Sequence, residues 1–548
     1  MSPRAGRAAG ARAPFASTPW PAASVAAVAC LAAIAAQRFL DLSLHDEGFL
    51  WYGAQRVLRG ELPIRDFQAY DPGRYFWVAG WMAMLGHDGI LALRWANAVL
   101  AAITVGLATW IVGSGSTRPG AIAPMATGAT FTLWMAPYIK VSDSFAAILL
   151  LFGLTLLIRR PSPGRYFRNG ICLGVASVIG INHALYGSVA AILALLYLRG
   201  IPNPAIAIAA TIVGGVVGYS PVLMLHALVP GFASAFIDGV RQLLESGTTN
   251  LSLPFPELLA VTRARDEGVL RSITQSLSAL LFIGAPPLWL WAAWRSRRAD
   301  IKTPAIPAGL ILGVPYAHYA YSRADVVHIA VSVLPLLAAA LAWIVRWERV
   351  RRRWTALTMT FGVALVMTAR EHPVYGVLKG HASEAMEIDG ARLLVRSNNA
   401  DEIHAARAVA AGAGSAPFFS GPYMPGAYAL ARRRSPTWEI YMLFPATRSR
   451  QEAEIARLRT SGVRYAFISG QRVDGRPDLG LERTHPLLFA FIRSCLDRAT
   501  GISKTPWLTI RWTDKAACPN LDEAGRPDQT EWKSRTVADH TSGADHDL

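Results

Sequence analysis

The chain alternates long apolar stretches with short polar segments over about its first two thirds. A transmembrane helix needs about 20 consecutive, mostly apolar residues. Candidate stretches lie at 21–40, 89–112, 119–139, 144–158, 169–185, 187–199, 203–229, 272–294, 303–319, 329–345 and 355–369. The pattern predicts a mainly α, polytopic membrane protein with about eleven transmembrane helices.

A polar and charged stretch at 41–88 separates the first two apolar stretches. Because Pro63 and Pro72 interrupt it, the stretch is expected to form two short helices instead of one. Its second part, 74–85, is rich in Trp, Phe, Tyr and Met, which is typical of a helix lying among lipid headgroups. We therefore expect a structured outer loop at the membrane surface.

The composition becomes that of a globular domain from about residue 370. The pattern predicts helices at 401–411 and 450–460, a strand at 465–469, and a turn at Gly421-Pro422. Such mixed elements indicate a small α/β domain over 370–518. The polar tail at 519–548 is expected to be disordered.

Charge gives the expected orientation. The net charge is +17, yet charged residues make up only 17% of the chain, against about a quarter in a typical soluble domain. With residues 1–20 in the cytoplasm, the inner loops are 114–118, 159–168, 200–204, 295–302 and 346–354. Four of these five carry basic residues, which agrees with the positive-inside rule and argues against nucleic acid as a partner. An odd number of spans then places the 41–88 loop and the 370–518 domain outside.

The segment His45-Asp46-Glu47 follows the first apolar stretch directly. Two carboxylates beside lipid are costly unless they have a function or remain hydrated. One of them could act as a general base while the other binds a divalent metal or orients its neighbour. The alternative is a solvated acidic start to the loop. Asp46 and Glu47 are therefore the catalytic candidates, and the only candidate metal ligands.

A second group of polar residues lies between two later apolar stretches. Asp325 and His328 are one helical turn apart and can share a face. Arg323 carries a fixed charge on a fork suited to phosphate oxygens, and His318 and His328 could donate hydrogen bonds beside it. The alternative is an interfacial anchor with an aromatic belt.

Five further residues are candidates for lining a pocket: Asp66, Asp71, Arg74, Asp143 and His183. All five lie in predicted outer segments. Their alternative roles are ordinary ones, as turn residues, helix caps or loop residues.

The four cysteines are too few for a disulfide scaffold. Cys30 and Cys172 lie inside apolar stretches, whereas Cys495 and Cys518 lie in the soluble part and could pair in an oxidising compartment. The sequence contains no Walker loop, dinucleotide glycine fingerprint, HExxH or Cys-x-x-Cys motif, so no nucleotide site is expected.

An ordered set of segments resembles a known family. The set comprises Asp46-Glu47, the segment 58–67, Asp71-Pro72-Gly73, Gly86, Arg94 and the segment 421–428. On these segments the chain resembles the GT-C superfamily of membrane glycosyltransferases, which includes protein O-mannosyltransferases and lipid A aminoarabinose transferases. The order of elements is similar over nearly the whole membrane part.

The resemblance implies transfer of a hexose or pentose from a polyprenyl-phosphate sugar to an envelope glycan, lipid or protein. The reaction would occur at the outer face of a bacterial inner membrane. Asp46, or Glu47, would be the base, the anomeric carbon would invert, and Arg323 or a metal would stabilise the leaving phosphate. A lipid transporter and a non-catalytic membrane scaffold are the alternatives.

Overall fold

The computed structural model describes residues 19–114, 122–136, 138–198, 203–246, 250–259, 269–298, 303–471, 473–496, 498–500 and 508–512. The expectations for the cytoplasmic N-terminal segment up to residue 18, for Cys518 and for the 519–548 tail lie outside these residues.

Up to residue 378, the regular elements of the described residues are helices. They are α1 Trp20–Ala36, α2 Asp46–Leu58, α3 Gly73–Leu85, α4 Ile90–Gly113, α5 Ile122–Trp134, α6 Val141–Arg159, α7 Pro163–Ile179, α8 Ile181–Tyr197, α9 Pro204–Leu228, α10 Phe232–Ser246, α11 Val269–Arg298, α12 Ala305–Tyr321, α13 Val326–Ser332, α14 Leu334–Ile344, α15 Val350–Thr368 and α16 Pro373–Leu378. The mainly α fold class is confirmed. The two helices expected in the 41–88 stretch are α2 and α3. The break expected near 182–187 falls at Gly180, whose backbone is extended.

Within the described residues, four helical segments are long and apolar enough to cross a membrane. They are Ile90–Gly113, Tyr138–Arg159, Pro204–Leu228 and Val269–Trp291. Helices α13 and α14, bent by 56°, make a fifth if they count as one span. The total of about eleven spans stays a prediction, because several apolar helices, such as the 17-residue α1 and α8, are shorter than a full span.

Helices α7 and α9 pack through glycines. A Cβ on Gly174 would lie 2.3 Å from the carbonyl oxygen of Gly215, and one on Gly218 would lie 2.4 Å from that of Ile171. Only glycine allows backbones to approach so closely, which is a common way for helices to pack inside a membrane. The other face of α9 exposes apolar side chains: Ile206, Ile208, Ile212, Val213, Val216, Val217 and Leu228. These side chains suit contact with lipid.

The described chain forms two compact units that do not divide at residue 370. The first unit takes Met1–His404 and Met424–Arg433, and the second takes Ala405–Tyr423 and Arg434–Leu548. The first unit therefore includes the antiparallel hairpin β1 Ser383–Ile388 and β2 Ala391–Arg396. It also includes the start of α17 Ser397–Ala413 and the short helix α18 Gly426–Ala431.

The second unit contains a four-stranded sheet and helices. The strands β3 Phe418–Gly421, β4 Tyr465–Ser469, β5 Arg498–Thr500 and β6 Leu508–Trp512 lie in the order β3-β4-β6-β5. Strands β3 and β4 are parallel, and the other two pairs are antiparallel. The helices are α19 Arg448–Ser461, α20 Leu481–Thr484 and α21 Pro486–Cys495. The helices expected at 401–411 and 450–460 and the strand at 465–469 are present.

The structure describes three of the four cysteines. Cys495, at the end of α21, is disulfide-bonded, and Cys30 and Cys172 are free thiols. Because Cys518 lies outside the described residues, the Cys495–Cys518 pairing stays a prediction.

Candidate active site

Asp46 and Glu47 open helix α2, directly after the loop that follows α1. Carboxylates in the first turn interact favourably with the helix dipole, which is one reason why the helix begins here. Both residues line a cavity of about 340 Å³. Its charged lining residues are Arg38, Asp41, Asp46, Glu47, Arg94, Glu371 and Arg396. The acidic pair therefore adjoins a space that is large enough for a small ligand.

Glu47 is held by Arg94 of α4. The Nε of Arg94 donates to one Glu47 oxygen at 2.7 Å, and an Nη donates to the other at 2.8 Å. The same guanidinium donates to the backbone carbonyls of Arg38 and Asp41, at 2.6 Å each. Because the carboxylate of Glu47 is committed to this bidentate pair, its contacts are those of a structural anchor.

The segment before α2 is fixed by the β2 strand and by α17. The Leu394 amide donates to the carbonyl of Phe39 at 2.9 Å, and the Asp41 amide donates to the carbonyl of Leu394 at 2.8 Å. The carboxylate of Asp41 accepts hydrogen bonds from Asn399 Nδ2, at 2.8 Å, and from Arg396. Asp41 has a φ of 58°, which few non-glycine residues adopt, so these contacts hold an unusual turn in place.

Glu402 of α17 faces His45, the residue before Asp46. The His45 Nδ1 and a Glu402 carboxylate oxygen are 3.7 Å apart, and the Glu402 side chain is only 2% exposed. Burial, together with the charge of Asp41, raises the pKa of Glu402 to about 8. Burial also lowers the pKa of His45. Both groups therefore favour their neutral forms over part of the pH range.

Helix α18 packs on the start of α2. The Gly426 amide donates to the carbonyl of Leu44 at 2.9 Å. A Cβ on Gly48 would lie 2.5 Å from the Gly426 Cα, so the two backbones touch. The rings of Tyr52 and Tyr428 lie 5.4 Å apart on the same face. The glycine at each position permits this contact.

Three residues of the group predicted around Arg323 lie together, with Asp325 between Arg323 and His328. Asp325 caps α13 by accepting from the His328 amide at 2.8 Å. It also accepts from Arg323 Nε at 2.7 Å and contacts His328 Nδ1 at 2.7 Å. Burial acts to raise the pKa of Asp325, but the hydrogen bonds from His328 and Arg323 outweigh it and lower the pKa to about 2. The neighbouring Val327 is part of the cavity wall beside Asp46.

Four of the remaining pocket candidates lie in a separate buried network. Asp143 contacts Arg74 at 3.4 Å and His183 Nε2 at 3.0 Å, and His183 Nδ1 contacts the Tyr316 hydroxyl at 2.8 Å. Burial raises the pKa of Asp71, which sits beside Arg74. None of the four is among the described residues that line the cavity.

His318 and Asp66 have local roles. His318 Nδ1 contacts the Tyr186 hydroxyl at 2.9 Å. Asp66 accepts two hydrogen bonds from Arg65 and one, at 2.7 Å, from the Leu62 amide. The hydrogen bonds from Arg65 lower the pKa of Asp66. The contacts of Asp66 close the turn between α2 and α3. This is the turn role that was considered for Asp66.

Three residues of this site were missed in the sequence: Glu371, Arg396 and Glu402. They lie more than 300 residues after Asp46 and outside any local motif. Glu371 is in the turn Ala369–Glu371 directly after α15, where the sequence suggested only a change from membrane to soluble composition. Within the described residues, no group of three or more His, Cys, Asp or Glu side chains is arranged to hold a metal ion.

The chain is similar to two solved structures of ArnT from Cupriavidus metallidurans. The structure bound to undecaprenyl phosphate has a TM-score of 0.52 and 14% identity, over 92% of this chain and 100% of that chain. The apo structure has a TM-score of 0.54 and 13% identity, over 90% and 99%. No family model and no curated protein matches the sequence. The chain therefore has the fold of these ArnT structures, as the resemblance predicted.

Proposed function

We propose that this chain is an integral membrane glycosyltransferase that uses a polyprenyl-phosphate sugar as donor. The fold it shares with ArnT supports this proposal, since one ArnT structure holds undecaprenyl phosphate. The observation that carries it is the cavity of about 340 Å³ lined by Asp46 at the start of α2. The acceptor is a hydroxyl of an envelope glycan, lipid or protein.

Asp46 is the base in this proposal. Its carboxylate takes the proton of the acceptor hydroxyl while the oxygen attacks the anomeric carbon of the sugar. A new carbon–oxygen bond forms, the bond from the anomeric carbon to the phosphate oxygen breaks, and its electron pair leaves with the polyprenyl phosphate. A single attack inverts the anomeric carbon.

The contacts of Glu47 support Asp46 as the base over Glu47. Glu47 is engaged by Arg94, so both of its carboxylate oxygens already accept charge-assisted hydrogen bonds. Glu47 acts through Arg94, which also binds the carbonyls of the preceding loop. It is thus a positioning residue.

The leaving phosphate is assigned to the side of the cavity next to Val327, where Arg323 and His328 are the candidate donors. His318, the third candidate from the sequence, instead contacts Tyr186. Arg323 and His328 are ordered by Asp325. A preorganised cation of this kind stabilises charge that develops on a leaving group. A divalent metal at Asp46 remains the alternative way to supply that charge.

The topology is part of the proposal. We place the N-terminus in the cytoplasm, about eleven spans in a bacterial inner membrane, and the acidic loop with the C-terminal α/β domain outside. The basic residues of the inner loops support this orientation, and the apolar face exposed on α9 supports a location in the membrane.

A lipid transporter is the second candidate. The buried network of Arg74, Asp143 and His183 favours it, because ionisable residues inside a helical bundle often mark a transport path. The position of Asp46 at a cavity next to the first helix favours the transferase.

The test is a transfer assay with the purified protein in lipid nanodiscs. The donors are undecaprenyl-phosphate-linked glucose, mannose, galactose and aminoarabinose, and an envelope extract supplies acceptors. Mass spectrometry follows the loss of sugar from the lipid. Transfer that disappears in Asp46→Asn is expected. Movement of labelled lipid across vesicles by a wild-type protein that transfers no sugar would establish the transporter instead.

A further inference from the structure

We propose that Glu371 binds hydroxyl groups of the transferred sugar and selects a neutral sugar over an acidic one. The proposal rests on the proposed function, since it places the sugar in the cavity beside Asp46. Glu371 is a specificity residue here, whereas Asp46 moves the proton.

The position of Glu371 is set by the end of the last long helix of the first unit. Helix α15 ends at Thr368, whose hydroxyl donates to the Ala364 carbonyl at 2.9 Å. The turn Ala369–Glu371 follows, and Pro373 begins α16. Glu371 and Pro373 line the same cavity as Asp46 and Glu47. The start of α2 and the turn after α15 are far apart in sequence. They nevertheless bring Asp46 and Glu371 to the same cavity.

Glu371 differs from two other carboxylates of the cavity in having no protein partner. Glu47 is paired with Arg94, and Asp41 is bound by Asn399 and Arg396. Within the described part of the chain, the half-buried carboxylate of Glu371 makes no hydrogen bond or ion pair. A partly buried charge without partners is costly, and a ligand that donates hydrogen bonds would offset that cost.

The chemistry of a carboxylate matches a sugar ring. An ionised carboxylate accepts hydrogen bonds on two oxygens and donates none, so neighbouring hydroxyls can bind it together. Burial and the charge of Asp325 raise the pKa of Glu371, against the charges of Arg370 and Arg396. A protonated carboxyl can also donate to a ring or hydroxyl oxygen.

The charges around the cavity disfavour an acidic ligand beside Glu371. The lining has four carboxylates, Asp41, Asp46, Glu47 and Glu371, and three arginines, Arg38, Arg94 and Arg396. Two of the arginines are already paired with carboxylates. An anion at Glu371 would therefore be repelled, which assigns the donor phosphate to the Arg323 side and a neutral sugar to the Glu371 side.

The experiment compares variants in the transfer assay. The donors are the undecaprenyl-phosphate derivatives of glucose, mannose, galactose and glucuronic acid. Glu371→Ala is expected to raise KM for the neutral donor roughly ten- to a hundredfold, the range for a lost hydrogen bond to a charged group, with kcat nearly unchanged. Glu371→Gln should lose less and should improve the use of the glucuronic acid donor relative to the neutral one. Asp46→Asn should lose kcat and keep KM.

Glu384→Gln is the matched control, because Glu384 is an exposed carboxylate on β1 that contacts His404. All variants are first compared with the wild type in melting temperature and in the elution of the purified protein. An unchanged KM in Glu371→Ala, or a wild type that prefers the glucuronic acid donor, overturns the proposal while the transferase stands. A wild type that transfers none of the sugars overturns both.

Discussion

Arg94 and Glu47 form a bidentate ion pair between α4 and the first turn of α2, with N–O distances of 2.7 and 2.8 Å. The pair distinguishes the two adjacent acids by their contacts, since Arg94 engages Glu47, the residue that follows Asp46. Both side chains are at most 16% exposed, so the pair is largely screened from water. The loop from α1 to α2 is bound to the same guanidinium through its carbonyls.

We expect Asp46→Asn and Glu47→Gln to fail in different ways. Asp46→Asn should lower kcat about 10²- to 10⁴-fold, the usual contribution of a general base, and leave stability unchanged. Glu47→Gln leaves Arg94 without its counter-charge and should destabilise the protein by about 3 kcal/mol. Turnover and thermal unfolding in detergent separate the two. If Glu47→Gln abolishes turnover in a fully stable protein, Glu47 is the base.

The contact between Asp41 and Asn399 is expected to tune activity. Asn399→Ala removes one hydrogen bond to the Asp41 carboxylate, which should loosen the turn before Asp46 by about 1 kcal/mol. Turnover should fall severalfold, and hydrogen exchange in 39–45 should speed up. Asn398→Ala, an exposed neighbour in the same turn of α17, is the control. If the two variants show the same turnover and the same hydrogen exchange, Asn399 does not hold the turn before Asp46.

Stability should depend on pH through Glu402. Its pKa is raised from 4.5 to about 8 in the folded protein, so between these values the folded state holds a proton that the unfolded chain has lost. Stability therefore falls as the pH rises through this window and levels off above it. His45, whose pKa is lowered from 6.5, acts in the opposite sense around and below pH 6.5.

The interval from about pH 7 to 8 consequently reports mainly on Glu402. The wild type should lose about 1 kcal/mol across it, since one pKa unit corresponds to about 1.36 kcal/mol and Glu402 is half ionised at the upper end. Glu402→Gln cannot ionise and should show a melting temperature that is nearly flat over the same interval. A wild-type curve without slope, or the same slope in the variant, would contradict the assignment.

The packing of α7 on α9 should not tolerate a larger residue. In Gly174→Leu, the new Cβ would meet the Gly215 carbonyl oxygen at 2.3 Å, so the helices must separate. We expect little folded protein in the membrane fraction and a large drop in melting temperature. Gly80→Ala is the control, because no atom lies within 4 Å of the added Cβ. It should be neutral or stabilising by up to about 1 kcal/mol.

The helical part was predictable because apolar stretches must form helices in lipid. The split of α7 from α8 was expected at 182–187 and lies at Gly180, since the extended glycine, not the polar residues after it, ends the helix. The pair α2 and α3 was predictable from Pro63 and Pro72, which cannot continue a helix.

The candidate site was predictable only where it is local. Asp46 stands out in the sequence because two acids follow an apolar stretch. Long-range packing brings three further residues to the same region: Glu371, Arg396 and Glu402. Such packing leaves no local pattern in a single sequence. Asp143 and His183 were grouped with the site by their predicted outer position, yet they lie in the separate network with Arg74.

The backbone contact of Gly48 with Gly426, and the bridge from Leu40 to Leu394, bear on how this protein can be divided. A fragment cut after α15 would keep Asp46 but lose the segments that seat the turn before it. A functional chimaera with another soluble domain would have to retain 383–404 and 424–433 together with the helices. In this protein the chain that follows the last long apolar helix is a component of the scaffold that holds the start of α2.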